Sequence, residues 1–279
     1  MDSKIWFITG ISSGLGKALA EAAVENGDFV IGTFRNPVQV EAFNEQYQNK
    51  AFALSMDVTQ ADEIQRAFRT VQEKFGRIDV LVNNAGFGFA GAVEEASVEE
   101  IRAVFEANFF GTLQTTQAIL PIFRRQKSGH LVQISSHGGI KAVPGFGIYN
   151  ASKFALEGFS EALAAEIAPL GIKLTIVEPG PFRTNFAGDS FRQAQRKIDD
   201  YHATAGVFRE RIKQVDGKQE GDPAKAARAI IQVVGSANPP LRLPLGKIAI
   251  ATIQSKLESV QKDLDDYREL AAKAVFGNE

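Results

Sequence analysis

The sequence predicts an α/β fold: a doubly wound parallel sheet of about seven strands, with helices on both faces, in a single domain. Three observations predict it. Short apolar runs alternate with longer amphipathic ones, the order that a parallel sheet wrapped by crossover helices requires. The first apolar run ends in the glycine-rich stretch Thr9–Gly16, where such a sheet meets its first helix. No internal repeat, low-complexity stretch or linker interrupts the pattern, so residues 1–279 read as one unit.

Strands are expected at Ile5–Thr9, Phe29–Phe34, Ala51–Met56, Val80–Asn83, His130–Ser135, Lys173–Glu178 and Leu241–Leu243. Helical patterns fill the spaces, at Gly14–Glu25, Val38–Tyr47, Ala61–Phe75, Val98–Phe123, Ile148–Ile167 and Pro223–Val234. Asp62 and Asp222 mark helix starts, since a short acidic side chain caps free backbone N–H groups. Two segments break the alternation. Residues 185–221 are polar and helix-like, and they follow a late strand, where ligands bind in open α/β sheets. Residues 247–274 form a long closing helix pattern of mixed charge.

Composition narrows the function. With 279 residues and 44% hydrophobic side chains, the chain can bury one substantial core. A net charge of −2 argues against a broad electrostatic surface for nucleic acid or anionic membrane. There is no cysteine, which excludes disulfides, thiol catalysis and zinc–thiolate sites; His130 and His202 lack metal-ligand spacing. No stretch approaches the roughly 20 apolar residues of a membrane span. A cytoplasmic protein with no metal is expected.

The stretch Thr9-Gly10-Ile11-Ser12-Ser13-Gly14-Leu15-Gly16 follows a predicted strand and opens a predicted helix. Missing β-carbons let such a turn tighten and let backbone approach a pyrophosphate, which the helix N-terminus attracts. The end of the second strand then bears on cofactor choice. An acid there would bond a ribose 2′-hydroxyl, whereas an arginine suits a 2′-phosphate. This chain has Arg35 and no acid, so NADPH is expected over NADH; otherwise Arg35 is a solvated residue before the Asn36-Pro37 turn. Asp57 either accepts a bond from an adenine amino group or caps the next helix.

Tyr149 and Lys153 lie one helical turn apart in Y-N-A-S-K, with Ser136 upstream. A phenol is a poor acid near neutral pH, with an ordinary pKa of about 10, and an ammonium group at i+4 favours its ionised form. Lowering that pKa by about three units requires about 4 kcal/mol of differential stabilisation. A serine hydroxyl and a phenol are the donors that a developing alkoxide needs. Taken singly, Tyr149 and Lys153 also suit an ordinary helix surface, and Ser136 a strand end.

These residues resemble the short-chain dehydrogenase/reductases, in their single-domain branch. The resemblance covers Lys4 to Phe186 through ordered motifs: T-G-I-S-S-G-L-G at Thr9–Gly16, D-V at Asp57–Val58, N-N-A-G at Asn83–Gly86, Asn108 in A-N-F-F-G, I-S-S at Ile134–Ser136, Y-N-A-S-K, and P-G-P-F-R-T at Pro179–Thr184. It implies a Rossmann-type sheet, a catalytic set of Asn108, Ser136, Tyr149 and Lys153, and Ser136 rather than Ser135 as the active serine. It also implies that Asn108 holds a water that returns protons from solvent, and that Asn83 braces the central strand. Expected cofactor contacts are Gly10, Ser12, Ser13, Gly14, Leu15, Gly16, Arg35, Asp57, Val58, Asn84, Ala85, Gly86, Tyr149, Lys153, Pro179, Gly180 and Thr184. The segment 185–221 is expected to close over substrate as a lid.

Expected substrate contacts are Ser136, Val143, Phe146, Tyr149, Phe182 and Phe186, with Phe87, Phe89 and Pro144 as further walls and Phe191, Tyr201 and Phe208 from the lid. The 21 phenylalanines, several near these loops, suggest a bulky apolar ketone or aldehyde, and the stretch is similar to steroid- and retinoid-active relatives. The expected activity is thus NADP(H)-dependent interconversion of a carbonyl and an alcohol. The alternatives are an NAD(P)⁺-linked alcohol dehydrogenase working oxidatively and a non-catalytic dinucleotide-sensing protein. The family resemblance further implies a homodimer or homotetramer.

Overall fold

The computed structural model describes residues 3–186, 188 and 191–277. Strand β1 (Ile5–Ile8) leads through the glycine turn into α1 (Gly14–Glu25), followed by β2 (Phe29–Phe34), α2 (Pro37–Tyr47), β3 (Ala51–Ser55), α3 (Ala61–Phe75), β4 (Val80–Asn83) and the short β5 (Gly88–Ala90). Helices α4 (Val98–Phe105) and α5 (Gly111–Gln126) are joined by a π-helical turn, and β6 (Gly129–Ile134), α6 (Gly147–Ile167) and β7 (Ile172–Pro179) come next. The chain continues with β8 (Phe191–Gln193), α7 (Val207–Val215), α8 (Pro223–Val234), β9 (Arg242–Leu245) and α9 (Lys247–Ala272).

Seven strands form one sheet in the order β3-β2-β1-β4-β6-β7-β9. All its pairings are parallel, so every strand ends at the same edge. Strand order reverses between β1 and β4, and the crevice outside that reversal is where open α/β sheets bind ligands. Successive side chains of β1 face opposite sides, as strand geometry dictates. Trp6 and Ile8 pack with Leu19 of α1 and Ile230 of α8, whereas Phe7 packs with Phe68 of α3, Ile119 of α5 and Leu163 of α6. The two cores hold the sheet rigid between helical layers. Trp6 Nε1 also donates to Asp28 Oδ2 at 3.0 Å, which satisfies the buried indole.

The structure departs from the sequence expectation in several places. The helix expected over Val98–Phe123 is divided by the π turn Glu106–Phe110, centred on Asn108. A second sheet, absent from the expectation, pairs β5 with β8 in parallel. The last strand begins at Arg242 and runs to Leu245, past the expected Leu243. Asp222 caps α8 as expected, accepting from Ala224 N and Lys225 N. Asp62 instead lies inside the first turn of α3, which Gln60 precedes as the N-cap.

Candidate active site

At the strand-end edge, a cavity of about 1100 Å³ runs from the glycine turn to α6. Gly10, Ser12, Ser13, Gly14 and Leu15 line one end, with Arg35, Asp57 and Val58 beside them and Asn84, Ala85 and Gly86 opposite. Pro179, Gly180 and Thr184 close it from the end of β7. Gly14 has φ +62°, a conformation that costs an L residue but not glycine. Ser13 makes no side-chain capping bond to α1, which leaves the helix's first N–H groups facing the cavity without a side-chain acceptor.

Gly16 lies behind this wall, not on it. A β-carbon there would stand 2.3 Å from Asn84 Nδ2 and 2.5 Å from Gly10 O. Asn84 Nδ2 donates to the carbonyls of Thr9 and Gly10, each at 2.9 Å, so Gly16 makes room for the brace that shapes the turn. Arg35 is exposed and forms no ion pair with any described residue, so its guanidinium is available at the cavity rim. Asp57 Oδ1 accepts from Thr59 N at 2.9 Å and Thr59 Oγ1 at 2.8 Å, a local turn. Its capping alternative is therefore not realised. Asn83 joins the strand to α5 and β6, bonding Thr115, Thr116 and Gln133.

The other end of the cavity is built by α6 and the loop after β6. Ser136, Tyr149 and Lys153 all reach it, and all three are buried. Ser136 Oγ accepts from Gly138 N at 3.0 Å, which fixes its oxygen and leaves its proton to donate into the cavity. Lys153 Nζ donates to Ile134 O at 2.8 Å and lies 5.9 Å from the Tyr149 ring centre. Burial pulls the Lys153 pKa down to about 8, against the upward pull of Glu157 one turn further along α6.

In the chain alone, burial pushes the Tyr149 pKa up to about 12, and the facing Ser136 hydroxyl offsets only part of this. The side chain is 4% exposed, and at 5.9 Å the lysine does not overcome the loss of water. Asn108 stands behind the cavity. Its side chain is satisfied by Phe87 N and O, both at 3.0 Å, and by Ser152 Oγ at 3.2 Å. The π turn around it breaks the regular bonding of the helix, as such bulges do at functional sites.

Aromatic rings surround the phenol. Phe146 stacks on Tyr149 at 4.2 Å, and Phe186 meets its edge at 5.8 Å. Phe208 and Phe191 extend this cage from Phe146, at 4.9 and 5.8 Å. Phe87, Val143, Phe182 and Phe208 line the cavity as expected. Phe89 does not: it is buried in a separate core cluster with Val104 and Ile148, because strand alternation turns it inward. Tyr201 is drawn outward by a 2.7 Å bond to Glu94, and Pro144 and Phe191 also lie off the wall, Phe191 packing behind Phe146 and Phe186. Residues 187, 189 and 190 of the expected lid lie outside the described residues.

Sequence reasoning missed most of α7. Phe208, Arg211, Ile212 and Val215 all line the cavity, at the i, i+3, i+4, i+7 spacing of one helix face. That spacing was visible, but five charged or amide side chains within α7 obscured it. Arg192, Lys141 and Lys218 also reach the wall and were not singled out.

The backbone cradle, the uncapped helix end and the long cavity fit a nicotinamide dinucleotide. Comparison with known proteins agrees. A sequence model of the short chain dehydrogenase family matches residues 4–195. The chain is 43% identical over 270 residues to oxidoreductase BOA17 of Botryotinia fuckeliana, covering 96% of this chain and 98% of that one. It is 38% identical over 251 residues to a 3-ketodihydrosphingosine reductase of Bacteroides thetaiotaomicron, covering 89% and 90% of the two chains. The crystal structure of a short-chain dehydrogenase from Streptomyces avermitilis superposes with a TM-score of 0.92 at 42% identity, over 99% and 100% of the two chains. This protein belongs to the short-chain dehydrogenase/reductase family of oxidoreductases. Among the described residues, no helix is long and apolar enough to cross a membrane and no metal-holding cluster occurs.

Proposed function

We propose that this protein is an NADP(H)-dependent reductase of a bulky, apolar ketone or aldehyde, with Tyr149 as the general acid. The observation that carries this reading is the meeting of Tyr149, Ser136 and Lys153 at one end of a cavity whose other end is the glycine cradle. Bound along that cavity, a reduced nicotinamide dinucleotide supplies the hydride. Backbone from Gly10 to Leu15 would hold its phosphates, Asp57 and Val58 its adenine, and Arg35 a 2′-phosphate. Asn84–Gly86, Pro179, Gly180, Thr184 and Lys153 would hold the nicotinamide end.

In the reductive direction the chain's own groups act in turn. Ser136 donates to the carbonyl oxygen and orients it toward the phenol. Charge then grows on that oxygen, and an alkoxide is a far stronger base than a phenolate whose pKa is about 12. Tyr149 therefore gives up its proton downhill without prior activation. In oxidation the same residues act in reverse, with ionised Tyr149 as the base. Lys153 carries its charge beside the phenol and stabilises the phenolate left behind. In this reading Asn108, in the π turn, would hold the water that returns protons from solvent.

The rings of Phe146, Phe186 and Phe208, which line the cavity, favour an apolar body next to the reacting carbon. A relative named for reducing a keto compound of sphingosine type supports the same substrate class. In this reading the segment 185–221, carrying β8 and α7, closes over substrate as a lid. The test is NADPH oxidation followed by absorbance with a panel of aryl ketones, long-chain 3-keto compounds and aldehydes. Turnover of at least one class supports the reading. Tight NADPH binding with no turnover across the panel would favour a dinucleotide sensor.

A further inference from the structure

Beyond the aromatic rings the cavity wall is basic. Apart from the residues given to cofactor and chemistry, its charged side chains are Lys141, Arg192, Arg211 and Lys218, against the acids Glu106 and Glu220. Glu106 belongs to the nucleotide end. Its carbonyl accepts from Gly111 N, and a β-carbon on Gly111 would stand 2.8 Å from Val58 O. None of the four bases forms an ion pair with any described residue. Lys141 Nζ donates to a neutral hydroxyl, Ser255 Oγ, at 2.7 Å, and Arg192 lies over the Phe87 ring, 4.1 Å from its centre.

Helix α7 places two of these bases. Phe208, Arg211, Ile212 and Val215 share its cavity face, and Lys218 follows shortly after its last turn. Phe208 packs on Phe146 at 4.9 Å, beside the reacting phenol, and from there to Val215 the helix advances roughly 10 Å. Ile212 and Val215 are half-buried, whereas Arg211 and Lys218 are exposed, so the charges stand at the mouth of the cavity. The wall continues from α7 to α9. Phe182 bridges to Gly221, a β-carbon on Gly246 would meet the Phe182 ring at 3.9 Å, and Ile248 then lines the cavity on the helix that Lys141 bonds.

Gln219 gives an independent sign of a ligand. Its side chain is 7% exposed and lines the cavity, and its amide forms no hydrogen bond with any described residue. The backbone alone is held, by Arg183 Nη2 at 3.3 Å from Gln219 O. Burying an amide without partners is unfavourable, so this one awaits a polar group. It adjoins Lys218, and the oxygens of an anion accept from amide N–H groups and cations together.

We propose that the cavity mouth binds an anionic end group of the carbonyl substrate, a carboxylate or a phosphate. Arg211, Lys218 and Gln219 hold it, and Lys141 adds positive charge from the facing wall. The substrate is then an amphiphile, with its carbonyl at Tyr149 and an apolar body along Phe208, Ile212 and Val215. Its charge lies roughly 10 Å beyond the aromatic rings. Such specificity presupposes the reductase reading, yet the anion's binding requires no turnover and is measured apart from it.

Calorimetric titration of the full chain tests this, with the protein loaded with whichever of NADP⁺ and NAD⁺ binds more tightly. Decanoate, decyl phosphate, decanol and decylamine share one tail and differ in the end group. At least one anion should bind about tenfold more tightly than decanol, and decylamine more weakly than decanol. The tighter of the two anions names the end group. Arg211→Gln/Lys218→Gln should abolish the preference while leaving decanol and dinucleotide affinities unchanged, and Gln219→Leu should weaken the anion alone. Anions bound no better than decanol would overturn the proposal. So would a double substitution that weakens decanol as much as the anion, or one that weakens the dinucleotide, since the bases would then serve cofactor phosphates. Selective anion binding with no ketone turned over would remove the reductase reading and leave the anion site standing.

Discussion

Arg209 Nη1 of α7 lies 2.5 Å from Glu95 Oε2, and both side chains are buried. Glu95 also accepts from Ile198 N at 3.0 Å and Ala92 N at 2.7 Å. The helix that walls the aromatic end of the cavity is thus latched to the loop after β5 by a fully bonded carboxylate. Burial disfavours ionised Glu95, but Arg209 and the two backbone N–H groups outweigh it and hold the carboxyl below its ordinary value.

Arg209→Ala therefore leaves a buried carboxylate without its partner, a change that costs about 3–5 kcal/mol in such settings. We expect a clear fall in melting temperature and a KM for the carbonyl compound raised at least tenfold, with NADPH affinity little changed. Arg209→Lys should recover part of both. Thermal unfolding and steady-state kinetics check this, and an unaltered KM would separate α7 from substrate binding.

Arg35 governs the next prediction. A charge-assisted, two-pronged bond to a phosphate contributes about 1.5–3 kcal/mol, or roughly 10- to 150-fold in affinity. Arg35→Asp should lower kcat/KM for NADPH by about that factor and raise it for NADH. Equal effects on the two cofactors would place Arg35 outside the 2′ position.

Two buried groups make opposing contributions to acid stability. His130 donates from Nε2 to Thr175 Oγ1 at 3.0 Å, since that hydroxyl itself donates to Pro240 O, and its Nδ1 has no partner. Burial first, then Lys173 and Lys4, lower its pKa to about 4. In the unfolded chain it binds a proton near pH 6.5, so the fold loses stability as pH falls from 6.5 to 4, by about 3 kcal/mol.

Glu178 works the other way. Burial and the neighbouring Glu157 raise its pKa to about 7, although Arg242 lies 3.3 Å away and pulls downward. The folded state then holds a proton that the unfolded chain has lost, so stability falls as pH rises from 4.5 to 7. In the wild type the two contributions oppose each other between about pH 4.5 and 6.5. Glu178→Gln should expose the His130 slope, and His130→Gln the opposite one. Urea unfolding at stepped pH reads both, and parallel profiles in all three proteins would contradict the assignment.

How much of this was legible in the sequence depended on distance along the chain. Tyr149 and Lys153 share a helix, and Gly10 to Gly16 form one turn, so spacing alone carried their geometry. The seven-stranded sheet followed from repeated apolar runs. The β5–β8 sheet did not: Gly88–Ala90 and Phe191–Gln193 are each three residues long, too short for a period, and join across a hundred positions. The raised Tyr149 pKa was equally hidden, because Phe146, Phe186 and the β6 loop that bury it are tertiary neighbours. The roles of Gly16 and Asp57 turned on contacts with Asn84 and Thr59 that only the folded chain defines.

The most direct measurement follows a label through the reaction. NADPH carrying deuterium at the transferable C4 position is incubated with a reducible ketone and either wild type or Tyr149→Phe, and the alcohol is analysed by mass spectrometry. The account predicts deuterium on the carbinol carbon with the wild type. It also predicts product formed 10²- to 10⁴-fold more slowly by the variant, the span a positioned general acid supplies, at unchanged NADPH affinity. Label absent from that carbon, or alcohol formed equally fast without the phenol's hydroxyl, would contradict it.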